Sequence, residues 1–256
     1  MFNIVTTVGN YILFILESFK VTLKGLPRWS LIADHMVEIG IMSLPVVAIT
    51  GFSTGLVLAA QTFFQLADKG LSAATGILVG KAMITELGPV LTAFMVTGRV
   101  GSAMCAELGT MKVSEQIDAM RSMAISPMRH LVVPRKIAGI VTIPLLTVFS
   151  IVMGIVGGYL ISTYFFEMPP QTYFNPMPDY ITPFDLFIGV SKSFVFSFVI
   201  VTISCFAGIN TSGGAAGVGK SITVSVVVCY SVILISNFFL TMALTLLSPL
   251  FGRFAQ

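Results

Sequence analysis

Charged residues are scarce in this sequence, and their scarcity limits the class of protein that it encodes. Aspartate, glutamate, lysine and arginine make up 10% of the 256 residues, whereas soluble domains carry roughly a quarter. Hydrophobic residues make up 55%, and the mean hydropathy is +0.96. The composition therefore predicts an integral membrane protein with few residues left for a soluble domain.

Histidine and cysteine are also rare, which limits the chemistry open to the chain. Cys105, Cys205 and Cys229 lie in or beside apolar segments, so we expect packing residues rather than a disulfide framework or a metal site. His35 and His130 are the two histidines, and we place neither within an apolar span. An intramembrane enzyme is therefore disfavoured, and we expect no catalytic residue. The net charge of +3 gives no reason to expect nucleic acid as a partner.

Long apolar runs are what the sequence has in abundance, and a helix needs about 20 such residues to cross the bilayer. Four runs pass this test, and a fifth passes if Arg99 is tolerated inside it. We predict an all-α membrane protein with a single membrane domain over residues 1–256. Its five transmembrane helices are predicted at about 42–64, 87–108, 137–165, 186–209 and 222–247. We expect residues 71–85 to extend the second span outward.

Lysine and arginine are absent between Glu167 and Asp185, and this absence orients the chain. Short loops rich in these residues stay in the cytoplasm. Basic residues instead lie before the first span, between the second and third and between the fourth and fifth, namely Lys20, Lys24, Arg28, Lys112, Arg121, Arg129, Arg135, Lys136 and Lys220. The N-terminus is therefore predicted inside and the C-terminus outside, and Lys192 in the fourth span is expected near the outer headgroups.

Residues 1–28 predict a helix that lies in the membrane interface. A polar stripe runs along an otherwise apolar rod, and its members are Asn3, Thr7, Asn10, Glu17 and Lys24. The alternative, a signal peptide, is weaker because a basic first segment and a small-residue cleavage site are both missing.

Ionisable residues inside a span are functional candidates by default. Arg99 and Glu107 share one helix face through Ala103, at spacings of four residues. The alternative is that Arg99 snorkels, or pairs with Glu107 near the cytoplasmic surface. Glu86 lies at the start of the second span, where a functional and a structural role are equally open.

Residues 113–125 predict a short amphipathic helix on the cytoplasmic side. Ser114 suits the N-cap, and Glu115 and Asp118 suit the positive end of the helix dipole. The apolar stripe consists of Val113, Ile117, Met120 and Ala124. Such a helix either rests on the bilayer or docks into a groove of a soluble partner.

The stretch from Gly214 to Ser221 matches the phosphate-binding pattern G-x-x-x-x-G-K-[ST], but its context argues against a nucleotide site. The pattern needs a buried strand before it, whereas an apolar span lies on each side here. We expect a flexible glycine-rich loop in which Lys220 is a positive-inside residue.

Six motifs follow one another through the centre of the chain. They are Glu86-Leu-Gly-Pro-Val90, Gly98-Arg-Val-Gly-Ser-Ala103, Ala106-Glu-Leu-Gly109, Met111-Lys-Val-Ser-Glu-Gln116, Ser126-Pro-Met-Arg129 and Pro134-Arg135. In order and spacing they resemble the MlaE-type permeases, the membrane subunits of bacterial phospholipid (Mla/Mce) ABC transporters. Some of those permeases have a basic residue directly before the equivalent of Glu86, whereas this chain has Thr85 there. The resemblance therefore does not support contact between a lipid headgroup and a charge at position 85.

The resemblance implies a homodimer in the bacterial inner membrane with phospholipid in an outward-open cavity near Leu58, Gln61 and Glu86. It implies two cytoplasmic ABC ATPase subunits that bind ATP and Mg, so this chain needs no cofactor of its own. Their docking residues are expected to be Ser114, Glu115, Ile117, Asp118, Met120 and Arg121. A periplasmic ring of an MCE-domain protein is a further expected partner, and a small cytoplasmic accessory subunit is compatible with the resemblance.

The alternative from a different class is a channel or an ion-coupled secondary transporter that uses Glu86 and Arg99 as a relay. Inverted repeats are typical of such transporters, and the five predicted spans show no convincing one.

Overall fold

The structure, a computed structural model, describes residues 2–23, 25, 27–68 and 70–252. These residues contain twelve α-helices and no β-strand, which confirms the all-α fold. The helices are α1 Phe2–Leu23, α2 Trp29–Ile39, α3 Leu44–Ala67, α4 Thr75–Ala82, α5 Gly88–Val96, α6 Ser102–Val113, α7 Gln116–Ser122, α8 Val133–Tyr164, α9 Pro170–Phe174, α10 Met177–Tyr180, α11 Pro183–Ile209 and α12 Gly214–Gly252.

Five helical segments of the described chain are long and apolar enough to cross a membrane, as predicted. They are Trp29–Ala67, Ser72–Val113, Met128–Tyr164, Pro183–Ile209 and Gly214–Leu246. Each begins before the corresponding predicted span, because polar and glycine-containing residues that flank an apolar run are also helical. The helical segment that begins at Ser72 includes nearly all of residues 71–85, so this stretch does extend the second span, and its outward direction stays a prediction.

The sequence analysis missed α2, which precedes the first apolar run. Asp34, His35 and Glu38 interrupt its apolar pattern, but Ile32 and Ile39 are buried on one face. The helical segment Trp29–Ala67 therefore includes His35, which the sequence analysis had placed outside the span.

Contacts divide the chain into two units. The first consists of Met1–Met42, Val96–Thr142 and Phe196–Ile233, and the second of Ser43–Met95, Ile143–Val195 and Leu234–Gln256. Three long helices, α8, α11 and α12, each contribute residues to both units. The single membrane domain over residues 1–256 stays a prediction.

Glycines bring α3 and α8 together in the second unit. A Cβ atom added to Gly51 would lie 2.6 Å from the carbonyl oxygen of Ser150, and one added to Gly55 would overlap the backbone of Gly154. The two helices therefore touch backbone to backbone, without side chains between them.

In the first unit, a buried lysine holds α1 in place. Lys136 Nζ donates hydrogen bonds to Ser18 Oγ at 2.8 Å and Thr22 Oγ1 at 2.9 Å. The ammonium also lies 4.5 Å from the centroid of the Phe19 ring, a favourable cation–π distance. The predicted N-terminal helix is confirmed, and its place in the membrane interface stays a prediction. Of the predicted polar stripe, Lys24 and the side chain of Asn3 lie outside the described residues.

Three π-helical turns interrupt the long helical segments. They are Met83–Leu87, Thr97–Gly101 and Met128–Val132. The first contains Glu86 and the second contains Arg99, the two intramembrane charges that the sequence singled out. Single π turns inside α-helices are frequent at functional sites, so their position supports a role for this part of the chain.

The short helix predicted for residues 113–125 differs from its predicted form. It runs only from Gln116 to Ser122, and Ser114 is not its N-cap. The Ser114 hydroxyl donates instead to the carbonyl oxygen of Thr110, at 2.8 Å, at the end of α6. Glu115 precedes α7 in the left-handed region, with φ of 60°. This reversal of the chain separates α7 from α6.

The predicted glycine-rich loop is wrong. Gly214–Ser221 forms the first two turns of α12 rather than a flexible loop. The segment before it is the helix α11, not a strand, so the strand-then-loop context that a nucleotide site requires is missing from the structure.

Candidate functional site

Lys192 of α11 is fully buried in the second unit, with 0% of its side chain exposed. Its ammonium has three protons to donate and finds three acceptors. They are Glu86 Oε1 at 2.6 Å, Thr241 Oγ1 at 2.8 Å and the carbonyl oxygen of Thr85 at 2.9 Å. A buried charge is tolerated when it is both paired and hydrogen-bonded, and Lys192 meets both conditions. Lys192 is therefore buried inside the protein, and its position near the outer headgroups stays a prediction.

Glu86 is held from several directions. Its Oε2 accepts a hydrogen bond from Asn237 Nδ2 at 3.0 Å, and its Oε1 lies 2.9 Å from the Thr241 hydroxyl. That hydroxyl also lies 2.8 Å from the carbonyl oxygen of Asn237, so two acceptors compete for its one proton. The Glu86 side chain nevertheless remains 37% exposed. The cluster is thus a neutral ion pair with a fixed, accessible carboxylate edge, able to accept a hydrogen bond from a ligand.

The cluster of Glu86, Lys192, Asn237 and Thr241 brings together a π turn, α11 and α12. The sequence analysis identified Glu86 and missed the other three residues. Asn237 and Thr241 are four residues apart, on one face of an apolar helix. That spacing, with a lysine inside the fourth span, is the signal that could have identified them.

Leu58 of α3 packs near the same turn. Leu58 and Leu87 contact one buried cluster, formed by Ala59, Val79 and Met83. Leu58 of α3 is thus packed against the cluster that Leu87, the residue after Glu86, also contacts. Gln61, one helical turn later, is exposed, and every hydrogen bond that the structure gives Glu86 goes to α11 or α12.

The two charges proposed as one intramembrane face have different surroundings in the first unit. Arg99 Nη1 donates a long hydrogen bond, 3.5 Å, to the carbonyl oxygen of Glu38. Glu107 Oε2 accepts from Arg135 Nη2 at 2.8 Å, and Arg135 is almost completely buried. The π turn at Thr97–Gly101 changes the register between Arg99 and Glu107. Glu107 therefore pairs with Arg135 of α8, and a shared role for Arg99 and Glu107 stays a prediction.

A second polar site lies at α7 in the first unit. Asp118 accepts hydrogen bonds from Lys112 Nζ at 2.7 Å and from Arg121 Nη1 at 3.2 Å. The hydrogen bond from Lys112 is the main reason that the pKa of Asp118 is below its ordinary value. The carboxylate is therefore charged at neutral pH, and its pairing is lost only as the pH falls through that lowered pKa.

The predicted docking residues separate into an outer and an inner face of α7. Ser114, Glu115, Asp118 and Arg121 are exposed and Met120 is half-buried. Ile117 is fully buried, at 0% exposure. The exposed face carries charges of both signs, and Ile117 fastens the helix to the rest of the unit. Metal chemistry finds no support, because no three His, Cys, Asp or Glu side chains of the described chain could hold an ion together.

Comparison with known proteins gives one consistent result. The model of the family described as Permease MlaE matches residues 32–243. A probable ABC transporter permease protein of Rickettsia bellii is 38% identical over 92% of this chain and 91% of its own length.

Two further relatives have more specific names. The intermembrane phospholipid transport system permease protein MlaE of Haemophilus influenzae is 32% identical over 84% of this chain and 82% of its own. The chloroplastic protein TRIGALACTOSYLDIACYLGLYCEROL 1 of Arabidopsis thaliana is 35% identical over 86% of this chain and 63% of its own. Similarity of this extent covers all five helical segments in whole or in part.

Proposed function

Because the chain belongs to the MlaE permease family of ABC transporters, we propose that it is the membrane subunit of a bacterial phospholipid transporter driven by a separate cytoplasmic ATPase. The Haemophilus relative named for intermembrane phospholipid transport supports this substrate. Membership of an ABC permease family argues against the ion-coupled alternative, since energy then comes from ATP hydrolysis in a partner.

The neutral cluster around Glu86 is the observation that carries the proposal. A phospholipid presents a polar headgroup beside apolar chains, so its site needs a polar point on an apolar wall. Glu86 supplies the polar point and Leu58 belongs to the wall. Lys192 neutralises the carboxylate from the buried side, which lowers the electrostatic cost of placing it within the membrane.

The proposed ATPase contact is the exposed face of α7. Glu115, Asp118 and Arg121 offer charges to a soluble partner, while Ile117 is embedded in the first unit. A partner that pushes on α7 therefore acts on a helix that is fixed to its own unit by an apolar residue. This arrangement suits a coupling helix better than a helix that rests loosely on the bilayer.

The remaining assembly follows from the family and from the distribution of charge. We place the chain in the bacterial inner membrane as a homodimer, with the N-terminus cytoplasmic and the C-terminus periplasmic. Two ABC ATPase subunits would bind ATP and Mg on the cytoplasmic side. A periplasmic MCE-domain ring would cover the outer face, and a small accessory subunit is compatible with this arrangement.

The test enlarges a side chain in the proposed lipid-binding wall. The control enlarges an exposed apolar side chain elsewhere in the same unit. Leu58→Trp should reduce phospholipid transport at least about tenfold while the ATPase still co-purifies, because the added ring occupies the space of an acyl chain. Leu145→Trp adds the same bulk to an exposed apolar position of the same unit and should leave transport unchanged. Equal transport by both variants would overturn the proposed site.

A further inference from the structure

A second ligand-sized cavity lies in the first unit, away from the residues used above. It is an open groove of about 620 Å³ between α1, the end of α11 and the first half of α12. This volume is in the range of small-molecule sites in proteins. Tyr11 helps to form its floor, fixed by a 2.7 Å hydrogen bond to Thr202 and by edge-to-face packing on Phe206. The groove is therefore built from anchored side chains.

Most of the groove wall is apolar and open. Val8, Ile203, Val224 and Val228 line it, and Val224 is 50% exposed. An open apolar groove of this size is unfavourable in water, but it suits a surface that faces hydrocarbon chains. An acyl chain satisfies such a wall, whereas a nucleotide base would leave its polar edges without partners.

One end of the groove is polar and basic. Asn210, Ser212, Lys220 and Ser221 lie there, and no acidic residue lines any part of the groove. None of the ion pairs in the described chain involves Lys220. Gly217 and Lys220 in the first two turns of α12 line this end, and a helix N-terminus carries partial positive charge. This end is complementary to an anion.

We propose that this groove binds one anionic phospholipid, with its phosphate at Lys220 and the first turns of α12 and an acyl chain along Val224 and Val228. The proposed topology puts this end of α12 at the cytoplasmic leaflet, where basic pockets between helices bind anionic headgroups. The lipid would bridge α1 to α11 and α12, so it is distinct from the cargo at Glu86.

The test measures lipid retention by the full-length permease in detergent with native mass spectrometry. Phosphatidylglycerol is the anionic probe and phosphatidylcholine is the zwitterionic one. The wild-type chain should retain phosphatidylglycerol preferentially. Lys220→Gln should weaken that retention about fivefold, the effect of removing one lysine near a charged headgroup. Lys20→Gln removes an exposed lysine of α1 that is outside the groove and should have no effect.

A second pair of variants tests the apolar part independently of charge. Val224→Trp fills the groove and should abolish retention of both lipids. Val227→Trp is on the same helix and equally exposed but is not part of the groove, so it should retain phosphatidylglycerol as the wild type does. Equal retention by the two tryptophan variants, or by Lys220→Gln and Lys20→Gln, would overturn the proposal. So would loss of dimer in Val224→Trp with lipid retention unchanged, because the groove would then hold a second copy of the chain.

Discussion

At the scale of single residues, the pair of Glu86 and Lys192 dominates the second unit. Burying two charges is expensive, and the attraction between them offsets that cost only when the geometry is good and the remaining protons are satisfied. Every proton of the Lys192 ammonium has an acceptor within 2.9 Å. Loss of Glu86 would leave the Lys192 ammonium buried without a counter-charge, and loss of Lys192 would leave the partly exposed Glu86 carboxylate without its counter-ion.

Lys192→Met should therefore destabilise the permease by about 1–3 kcal/mol, because the partly exposed Glu86 loses its counter-ion and a hydrogen bond. The double variant Lys192→Met with Glu86→Gln should recover much of that loss, because it leaves no unpaired charge. Thermal unfolding of the detergent-solubilised chain measures both effects. Lys81→Met is the matched control, since Lys81 is half-exposed and lies 3.7 Å from Asp185, and exposed pairs contribute at most about 1 kcal/mol. An equal loss in both lysine variants would contradict this account.

The sequence identified one half of this pair for a physical reason. Glu86 is conspicuous because it interrupts an apolar run at a span boundary. Its partner is 106 residues away in the chain, and the pairing depends on which helix faces meet in the fold. Helical periodicity places a residue on a face, but it does not tell which other helix that face contacts. Asn237 and Thr241 were missed for the same reason.

At the scale of elements, the apolar pattern of the sequence predicted where the long helices lie, but it did not predict where they begin and end. The spans were predicted because an apolar run of about 20 residues has no other stable form within a bilayer. The ends were missed at α2 and at Gly214–Ser221, where charge or glycine suggested a break. Those residues remain helical because glycine lowers helix propensity by only about 1 kcal/mol, less than continued packing supplies.

Close packing of α3 on α8 gives the first test at this scale. Gly55→Ala should destabilise the chain by about 1–3 kcal/mol, because the new methyl group overlaps the backbone of Gly154. Gly219→Ala is the control, since nothing lies within 4 Å of a Cβ atom there, and it should be neutral or slightly stabilising. Thermal unfolding of the two variants distinguishes them. Similar melting temperatures would show that the two helices separate without cost.

The exposed face of α7 gives the second test. Asp118→Lys creates a cluster of three basic residues, because Lys112 and Arg121 already contact position 118. The variant should weaken ATPase binding at least about tenfold, because the ATPase surface is complementary to the original charges. Asp34→Lys makes the same substitution at an exposed position of α2 and should leave ATPase binding intact. Co-purification with the ATPase reports the result, and unchanged recovery with Asp118→Lys would refute the docking role.

At the scale of the whole molecule, composition was the most reliable guide. The thickness of the bilayer fixes the length of a span and the absence of water enforces helices, so five segments could be counted from the sequence. Partner-binding surfaces are harder to predict from the sequence. An amphipathic helix such as α7 has the same sequence pattern whether its apolar side packs on its own fold or on a partner. Ile117 was assigned to the partner and proved to be buried in its own unit.

The central claim is that this chain carries phospholipid under the control of a separate ATPase, and reconstitution tests it most directly. The permease is placed in proteoliposomes with its ATPase and periplasmic MCE partner, and transfer of a labelled phospholipid to the partner or back is measured with and without ATP. We predict transfer in one direction that requires ATP and is lost in Leu58→Trp but not in Leu145→Trp. ATP hydrolysis without lipid transfer, or lipid transfer unaffected by either ATP or Leu58→Trp, would contradict the account.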